Sequence, residues 1–292
     1  LVTFQTQRDH RGREIASQVK VLSRRLPADT ENLLNGTTNI DNFYLKLNKT
    51  ASIKGDKFKL PQEPNYFNFP DMDFVKYAGR LKSSIVEAGF DVDSFVFKTD
   101  WRLAIGLGGA SVYETSLTLH HIYGIPYIPG SAVKGVTRNF IISQYFENDE
   151  NKALKDPGFC RVFGSPRQSA LGMHQGAVFF FDALPVQKPK IKTDIMNPHF
   201  SSYYRSGKHG AAPRDDEHPI PVTFLVVENT KFQFLVAVRK EDNMEIQEGM
   251  LKGITPLHAA VQTLQEALKE QGIGAKTSVG YGYMSPDERE PI

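Results

Sequence analysis

Three segments of this sequence carry residue types that could bind an anionic polymer. The first is the glycine-rich stretch 272–283, whose glycines would expose backbone N–H groups beside Lys276, Thr277 and Ser278. It is not a nucleotide-binding P-loop, because Ala275 stands where such a loop needs a glycine and the stretch follows a helix instead of opening one. The stretch is therefore either a phosphate-facing loop, with Gly274 and Gly280 close to the ligand, or a flexible turn.

The second segment is a helix that we expect to begin with Ser131 as its cap. The N-terminal end of a helix offers free N–H groups and a positive dipole end to an anion. Lys134 and Arg138 lie four residues apart and share one face of this helix. The alternative is an ordinary capped helix with two solvated cations.

The third segment, residues 187–214, is strongly basic and contains Asp194 as its one acid. Tyr203 and Tyr204 precede Arg205 there, and such rings stack on unpaired bases while cations follow the phosphates. The alternative is a long solvated loop. The cations of the segment are Lys188, Lys190, Lys192, Arg205, Lys208 and Arg214.

Residues that could carry out catalysis are few. His120 and His121 are adjacent, so on a strand they would point to opposite faces, and Glu114 is a lone loop carboxylate. The single cysteine, Cys160, excludes an internal disulfide and a thiolate-rich zinc site. We expect no catalytic residue, metal or cofactor. The other histidines, which lack the spacing of metal ligands, are His174, His199, His209 and His218.

The periodicity of the apolar residues predicts the elements that position these segments. Helices are expected over residues 12–26, from a cap at Asp71 or Asp73 to Gly89, from Ser131, and from a cap at Thr255 to Gly272. Strands are expected over residues 101–107, around 117–119, over 177–183, as a hairpin of 222–227 with 232–238, and after the glycine-rich stretch.

This order predicts an α+β fold of the ferredoxin-like (RRM-like) βαββαβ type. We expect residues 1–95 to form a helical N-terminal extension and residues 96–292 to form the ferredoxin-like domain. Residues 187–222 would be an insertion in that domain.

The composition fits a cytoplasmic protein without a membrane segment. The hydrophobic fraction is 40%, which is enough for a core. No apolar run approaches the ~20 residues of a membrane helix, and residues 7–11 are charged where a signal peptide would be apolar. The net charge of +2 does not by itself indicate a nucleic-acid partner.

Four segments together resemble the RAMP superfamily of CRISPR proteins. Residues 125–135 are similar to the signature at the start of its first helix, and residues 162–165 to its phenylalanine–glycine motif. Residues 176–185 resemble the strand that follows, and residues 272–282 the C-terminal glycine-rich loop. The resemblance runs from about Trp101 to Met284, and the arrangement looks most like the type III-B (Cmr) branch.

The resemblance implies an RRM-like domain with a thumb-like insertion, assembled with other RAMP subunits on CRISPR RNA and target RNA near the 3′ end of the guide. Cleavage in such complexes is implied for another subunit, through an aspartate after the first strand. Here Glu114 is the acid of that neighbourhood, and no aspartate occurs from Gly106 to Gly130. We therefore expect a non-catalytic binding and assembly subunit.

Two other functions stay open. One is a metal-independent endoribonuclease of the RAMP type with His120 or His121 as general base. The other is a structural cap that contacts only protein. The expected RNA-binding residues are Ser131, Lys134, Arg138, Tyr203, Tyr204, Arg205, Lys208, Gly274, Lys276, Thr277, Ser278 and Gly280.

Overall fold

The computed structural model describes residues 71–197 and 221–287 continuously, and parts of the region before them: 6–8, 14–16, 31, 40–51, 53–54, 57–58, 60, 64–67 and 69. Its helices include α1 (Phe43–Asn48), α2 (Phe74–Glu87), α3 (Gly130–Tyr145), α4 (Glu150–Ala153), α5 (Pro157–Phe163) and α6 (Pro256–Glu270), with short 3-10 turns at Pro64–Phe67, Lys240–Asp242 and Thr277–Val279. None of the helices in this described part is long and apolar enough to cross a bilayer.

Most of the strands belong to antiparallel sheets. They are β1 (Thr6–Arg8), β2 (Glu14–Ala16), β3 (Ile53–Lys54), β4 (Lys57–Phe58), β5 (Phe90–Thr99), β6 (Arg102–Leu103), β7 (Gly164–Ser165), β8 (His174–Gln175), β9 (Val178–Phe180), β10 (Leu184–Pro185), β11 (Lys190–Met196), β12 (Val222–Glu228), β13 (Lys231–Arg239) and β14 (Met284–Pro286). The mixed α and β composition expected from the sequence is confirmed.

The central sheet has β5 and β13 at its middle. β14 pairs with β5, and both β9 and β10 pair with the other edge of β13. Side chains alternate between the two faces of a strand. Phe234 and Val236 accordingly join the core that contains α3 and α6, whereas Leu235 and Ala237 pack with Ile85 of α2. The sheet is therefore covered by helices on both faces.

β5 is the main strand that the sequence analysis missed. Its first half turns Phe90 and Val92 toward the α2 side, and its second half buries Phe97 on the α3–α6 side. The alternation of apolar residues thus changes phase within one strand. The boundary predicted at residue 96 falls inside β5, and the strand expected over residues 101–107 is reduced to the short β6 in a different sheet.

A second sheet is formed by β6, β12 and β11, and its longest part is a two-stranded ribbon. β11 and β12 pair from Lys190 opposite Glu228 to Met196 opposite Val222. The hairpin predicted between β12 and β13 is wrong, because the consecutive strands belong to different sheets. β12 pairs instead with β11, which precedes it in the chain and is separated from it by residues 197–221.

The chain passes from the ribbon to the central sheet at Asn229 and Thr230. Thr230 is fully buried, and its backbone N–H donates to Thr99 Oγ1 at 3.2 Å while its carbonyl accepts from the Thr99 N–H at 3.1 Å. The Thr230 hydroxyl donates to the Glu228 carbonyl at 2.8 Å and accepts from the Lys190 N–H at 3.2 Å. One residue thus connects β5, β11 and β12.

The N-terminal region differs in part from the prediction. The helix expected over residues 12–26 is wrong at Glu14–Ala16, because these residues form β2, which pairs with β1. Four apolar residues at helical spacing are a weak preference, and pairing with a neighbouring strand outweighs it. The helix capped by Asp73 is present, and the Asp73 carboxylate accepts from the Lys76 N–H at 2.9 Å. Further upstream, Asn42 Nδ2 donates to the carbonyls of His121 and Ile122 at 2.9 and 2.8 Å. These hydrogen bonds tie the start of α1 to the turn at residues 121–123.

Candidate nucleic-acid interface

The glycine-rich loop between α6 and β14 packs tightly against its own chain. A Cβ atom on Gly274 would lie 2.4 Å from the carbonyl oxygen of Ala104, and one on Gly282 would lie 2.0 Å from that of Ile273. Both residues have positive φ, and the Ala275 N–H donates to the Ala104 carbonyl at 2.7 Å. These glycines are explained by close backbone contacts within the loop and with the chain after β6.

The outer part of the loop is the part available to a partner. Lys276 has a left-handed backbone (φ 64°), residues Thr277–Val279 form a 3-10 turn, and Gly280 (φ 94°) ends it. Ser278 and Gly280 are exposed, whereas the Lys276 ammonium lies 5.6 Å from the ring centroid of Phe224. Of the predicted residues of this loop, Lys276, Thr277, Ser278 and Gly280 therefore lie together on one turn, whereas Gly274 lies outside it, against Ala104.

A polar cluster beneath the loop joins it to the ribbon. The Tyr281 hydroxyl donates to Asp194 Oδ2 at 2.6 Å, and Arg102 Nη1 donates to the same oxygen at 2.5 Å. The Arg102 guanidinium also lies 4.8 Å from the ring centroid of Trp101, which is 4.9 Å from the Tyr281 ring. β6, β11 and the loop are thereby held by one carboxylate.

Glu228 extends this cluster along β12. Its carboxylate lies 3.7 Å from Arg102 Nε and 2.6 Å from Lys192 Nζ. Arg102 is therefore placed between two carboxylates, and Lys192 is partly neutralised at the base of the ribbon. These contacts favour a fixed root for the segment that carries the basic run.

The cluster shifts the acid–base behaviour of its members. Partial burial works to raise the pKa of Asp194, but hydrogen bonds from Tyr281, the Ile195 N–H and Arg102 outweigh burial, so the pKa lies below its ordinary value. Burial, followed by the hydrogen bond to Asp194, raises the pKa of Tyr281. Asp194 is accordingly ionised and Tyr281 protonated at neutral pH.

Replacement of Asp194 by asparagine is expected to destabilise the fold by about 1–3 kcal/mol near neutral pH, because the partly exposed Arg102 loses the closer of its two carboxylate partners and keeps only Glu228. Since the folded-state pKa is lowered, the carboxylate contributes its full stabilisation above its ordinary pKa of 3.8 and loses it as the pH falls through the lower folded value. Urea unfolding at several pH values should show the two proteins converging in acid.

Asp71→Asn is the matched control, because this carboxylate is fully exposed and lies 3.4 Å from Lys188. It should change stability by no more than about 0.5 kcal/mol. Equal effects of the two substitutions at neutral pH would contradict the role given to Asp194.

The start of α3 differs from the prediction in how it is capped. The helix begins at Gly130 after Pro129 with no side-chain cap, so the assignment of Ser131 as the cap is wrong. Asp182, which follows β9, accepts from the Gly130 N–H at 2.7 Å instead. A carboxylate of the protein thus already occupies part of the anion-binding end of this helix, while Ser131 is exposed in its first turn.

The two cations predicted on α3 have different surroundings. Burial first, and the neighbouring Arg138 second, lower the pKa of Lys134, whose side chain is half-buried. Arg138 pairs with Glu150 at 2.6 Å and lies 5.1 Å from the ring centroid of Phe159. Lys134 is therefore the better placed of the two to meet a phosphate, because Arg138 is already paired.

Two hydrogen bonds of the Gln271 side chain, one accepted from Asn139 and one donated to Ser143, show how α3 lies relative to the loop. Gln271 caps the end of α6 directly before the loop, and its side chain contacts Asn139 and Ser143. These residues are about 12 and 18 Å along the helix axis from Ser131 at 1.5 Å per residue. The root of the loop thus lies beside the C-terminal half of α3. A single surface shared by the loop and the helix start stays a prediction.

His120 and His121 do not point to opposite faces as predicted, because the chain turns there and their rings stack at 5.4 Å. The Ile122 N–H donates to His120 Nδ1 at 3.3 Å, and the rings of Tyr123 and Tyr127 lie 4.7 and 5.8 Å from the His120 ring. Burial, then His121, lowers the pKa of His120, with a smaller opposing effect of Asp182. His120 is therefore neutral at physiological pH.

The remaining predicted residues are Tyr203, Tyr204, Arg205 and Lys208, which lie outside the described residues. Sequence reasoning missed Arg102 and Tyr281 as parts of the interface. A signal for the cluster was visible, since Asp194 is the one acid in the basic segment. Within the described ranges, no group of histidine, cysteine and carboxylate side chains could hold a metal ion.

Comparison with known proteins shows which proteins this chain resembles. The pattern described as "RAMP superfamily" matches residues 95–285. A protein of Pyrococcus furiosus named "CRISPR system Cmr subunit Cmr6" is 37% identical over 274 residues, covering 77% of this chain and 75% of the relative. One of Saccharolobus solfataricus named "CRISPR system CMR subunit Cmr6" is 22% identical over 255 residues, covering 84% and 77%.

A solved structure shares the fold. It is a chain of the cryo-EM structure of "the Type III-B Cmr-beta bound to cognate target RNA", with a TM-score of 0.54 and 22% identity. The match covers 74% of this chain and 66% of that chain.

Proposed function

The chain belongs to the RAMP superfamily and, within it, to the Cmr6 proteins, and from this premise we propose that it is a non-catalytic RNA-binding and assembly subunit of a type III-B Cmr effector complex. The observation that carries the proposal is the 37% identity to a Cmr6 subunit over most of both chains. Its partners would be CRISPR RNA, target RNA and other RAMP subunits, near the 3′ end of the guide, in the cytoplasm.

We infer that the central sheet is ferredoxin-like. The order β14–β5–β13–β9, with every neighbouring pair antiparallel, is the order of a split βαβ repeat in which α3 follows β5 and α6 follows β13. The ribbon β11–β12 would be the stem of the thumb-like insertion, and residues 197–221 its tip.

The exposed turn of the glycine-rich loop supports an RNA-facing role. Lys276 and Lys134 would neutralise phosphates, and the backbone of residues 277–280 can approach RNA because Ser278 and Gly280 carry little or no side chain. Tyr203 and Tyr204 would stack on bases at the tip, beside Arg205 and Lys208.

The stacked pair His120–His121 favours a second candidate, a metal-independent endoribonuclease. A neutral His120 could accept a proton, and His121, Tyr123 and Tyr127 are neighbouring groups that could donate one. The first candidate is preferred because the His120 Nδ1 atom already accepts backbone N–H groups and the Asp182 carboxylate is engaged by Gly130.

One assay separates the two candidates. The purified full chain and the assembled complex should bind single-stranded RNA, and the purified chain should leave it uncut with or without divalent metal. Gel analysis of labelled RNA gives the cleavage rate, and His120→Ala, His121→Ala and the control His258→Ala, at an exposed position of α6, should all behave like the wild type. Cleavage that is lost in the first two variants but kept in the third would replace our proposal with the nuclease.

A further inference from the structure

Trp101 is an exposed aromatic residue at the end of the glycine-rich turn. It is the single tryptophan of the sequence, it directly precedes β6, and it is 46% exposed. The position of a Cβ atom on Gly280 lies 4.0 Å from Trp101 Cε3, so the indole borders the exposed end of the turn. Val279 in the same turn is also exposed. A large ring left in solvent beside a polar turn is a candidate contact for a partner.

The indole is held from one side. The Arg102 guanidinium and the Tyr281 ring lie 4.8 and 4.9 Å from the centroid of the Trp101 ring. Arg102 and Tyr281 donate to the same oxygen of Asp194, so they lie side by side and support the same side of the indole. The opposite side is left for a partner. A ring fixed in this way loses little conformational entropy when it is covered.

The indole also borders a basic face of the ribbon. The register of β11 with β12 places the exposed Lys190 and Lys192 on the same face as Phe224, because side chains alternate along a strand. The Tyr281 ring lies 5.9 Å from the Phe224 ring, and the Lys276 ammonium lies 5.6 Å from it. The loop therefore packs on this face, and its cation and those of the ribbon lie on the same side of the sheet.

The positive charge of this face is only partly neutralised. Lys190 and Lys276 make no ion pair with any residue that the structure describes, and the carboxylates of the face are engaged by cations of the protein, as described above. Asp100, which precedes Trp101, accepts from the Ser285 hydroxyl at 2.5 Å. A partner that carries several negative charges would therefore gain more here than a neutral one.

The combination of an exposed indole and free lysines favours RNA over a protein as the partner. An apolar protein surface that covers the ring would also take lysines without a described partner out of water, and burying an unpaired charge is costly. Single-stranded RNA offers a flat base to the ring and phosphates to the cations. Its phosphates can contact the lysines while staying partly in water.

We propose that Trp101 is a base-stacking residue. One nucleobase of single-stranded RNA stacks on the open side of the indole, and the phosphates next to that base lie toward Lys276 on the turn and Lys192 on the ribbon. The proposal rests on the proposed function, because it presumes that the protein meets RNA. It adds an aromatic contact at the glycine-rich turn that is independent of the tyrosines at residues 203 and 204.

The single tryptophan supplies a measurement specific to this position. In the purified full chain, intrinsic fluorescence reports on Trp101 alone, because the sequence has no other tryptophan. Addition of unlabelled oligouridine should quench this fluorescence, and the quenching should saturate at the same concentration as binding measured by the anisotropy of a labelled oligouridine. This readout needs no substitution, so it does not depend on whether a variant folds.

Substitutions then test what the ring contributes to affinity. Trp101→Leu should weaken binding about 5- to 150-fold, the loss of one base–aromatic stack of about 1–3 kcal/mol. Trp101→Phe should lose much less, because phenylalanine keeps a flat ring. The control is Tyr145→Leu, at the exposed end of α3, which should leave the affinity unchanged. Thermal midpoints of the variants show that each is folded.

The outcomes separate the stacking residue from the general function. If the wild type binds RNA but its fluorescence does not change, or if Trp101→Leu binds as well as the wild type, the stacking proposal is overturned and the proposed function stands. If RNA is bound only by the assembled complex, the affinities of the leucine and phenylalanine variants there decide by the same criterion. If the wild type binds no RNA, alone or in the complex, both proposals are overturned.

A protein interface at Trp101 would be recognised by footprinting. Hydroxyl radicals should oxidise Trp101 in the assembled complex without RNA and oxidise it less when RNA is bound. Full protection by the other subunits in the absence of RNA would make Trp101 a protein contact and overturn the proposal.

Discussion

Gly282→Ala is expected to destabilise the protein by about 3 kcal/mol or more, because two penalties act at one residue. A non-glycine residue at positive φ costs about 1–2 kcal/mol. The added Cβ would also lie 2.0 Å from the Ile273 carbonyl oxygen, so the hydrogen bond from the Ile273 N–H to the Gly282 carbonyl, now 2.9 Å, must stretch or break. Guanidinium unfolding curves measure this loss in the free energy of unfolding directly, provided that the m value is the same for the variant and the wild type.

Gly253→Ala is the control for the backbone penalty alone. Gly253 has φ +82°, close to the +80° of Gly282, but no atom lies within 4 Å of its Cβ position. We expect a loss of about 1–2 kcal/mol there. The difference between the variants measures the close packing of the loop, and equal losses would show that the loop accommodates a side chain by moving.

The double substitution Tyr203→Ala and Tyr204→Ala is expected to weaken RNA binding by about 1–3 kcal/mol for each base that stacks on a ring, while leaving the thermal midpoint nearly unchanged. The basis is the sequence: two tyrosines beside Arg205 in a basic segment with one acid. Charge reversal at Arg205 and Lys208 should weaken binding more at low salt than at high salt, because it removes phosphate contacts that release counterions.

Limited proteolysis of the assembled complex supplies the second measurement for this segment. Cleavage within residues 198–220 should be slower with RNA than without it, because bound RNA would shield the segment from the protease. Equal cleavage in both states, together with wild-type affinity of the tyrosine variant, would leave a loop with no role in binding RNA.

Local signals in the sequence predicted α6 well. Thr255 accepts from the His258 N–H at 3.4 Å, Pro256 occupies the first helical position, and the helix ends before Gly272 as expected. Capping depends on neighbouring residues, so it can be read without knowledge of the tertiary structure.

β5 could not be recognised in the same way. Asp91 and Asp93 interrupt its first half, and the reason they are tolerated lies elsewhere in the chain: Asn243 donates to Asp91 Oδ2 at 2.9 Å. The change of phase reflects packing against helices on both faces of the sheet. A pattern of period two predicts a strand with one solvated face, which β5 does not have.

In the candidate interface, too, features set by neighbouring residues could be predicted and features set by long-range contacts could not. The glycine-rich turn was predicted because it is contiguous in sequence. The pairing of Arg138 with Glu150, and the change of sheet at Asn229 and Thr230, depend on contacts or partners that a linear pattern does not specify. Asn229 and Thr230 between two apolar runs are typical of a hairpin, and only the competition of β11 for β12 shows otherwise.

The buried Thr230 has a consequence for how this protein could be altered. Its hydrogen bonds join the end of the ribbon nearest the central sheet to β5. The pairing of β11 with β12 is therefore fixed at that end and does not depend on the length of the segment between Met196 and Val222 at the other end. The segment between Met196 and Val222 is therefore the natural place to graft a sequence of different length, with these last paired residues of the ribbon as the two splice points. A graft made at Asn229 or Thr230 would instead alter the scaffold itself.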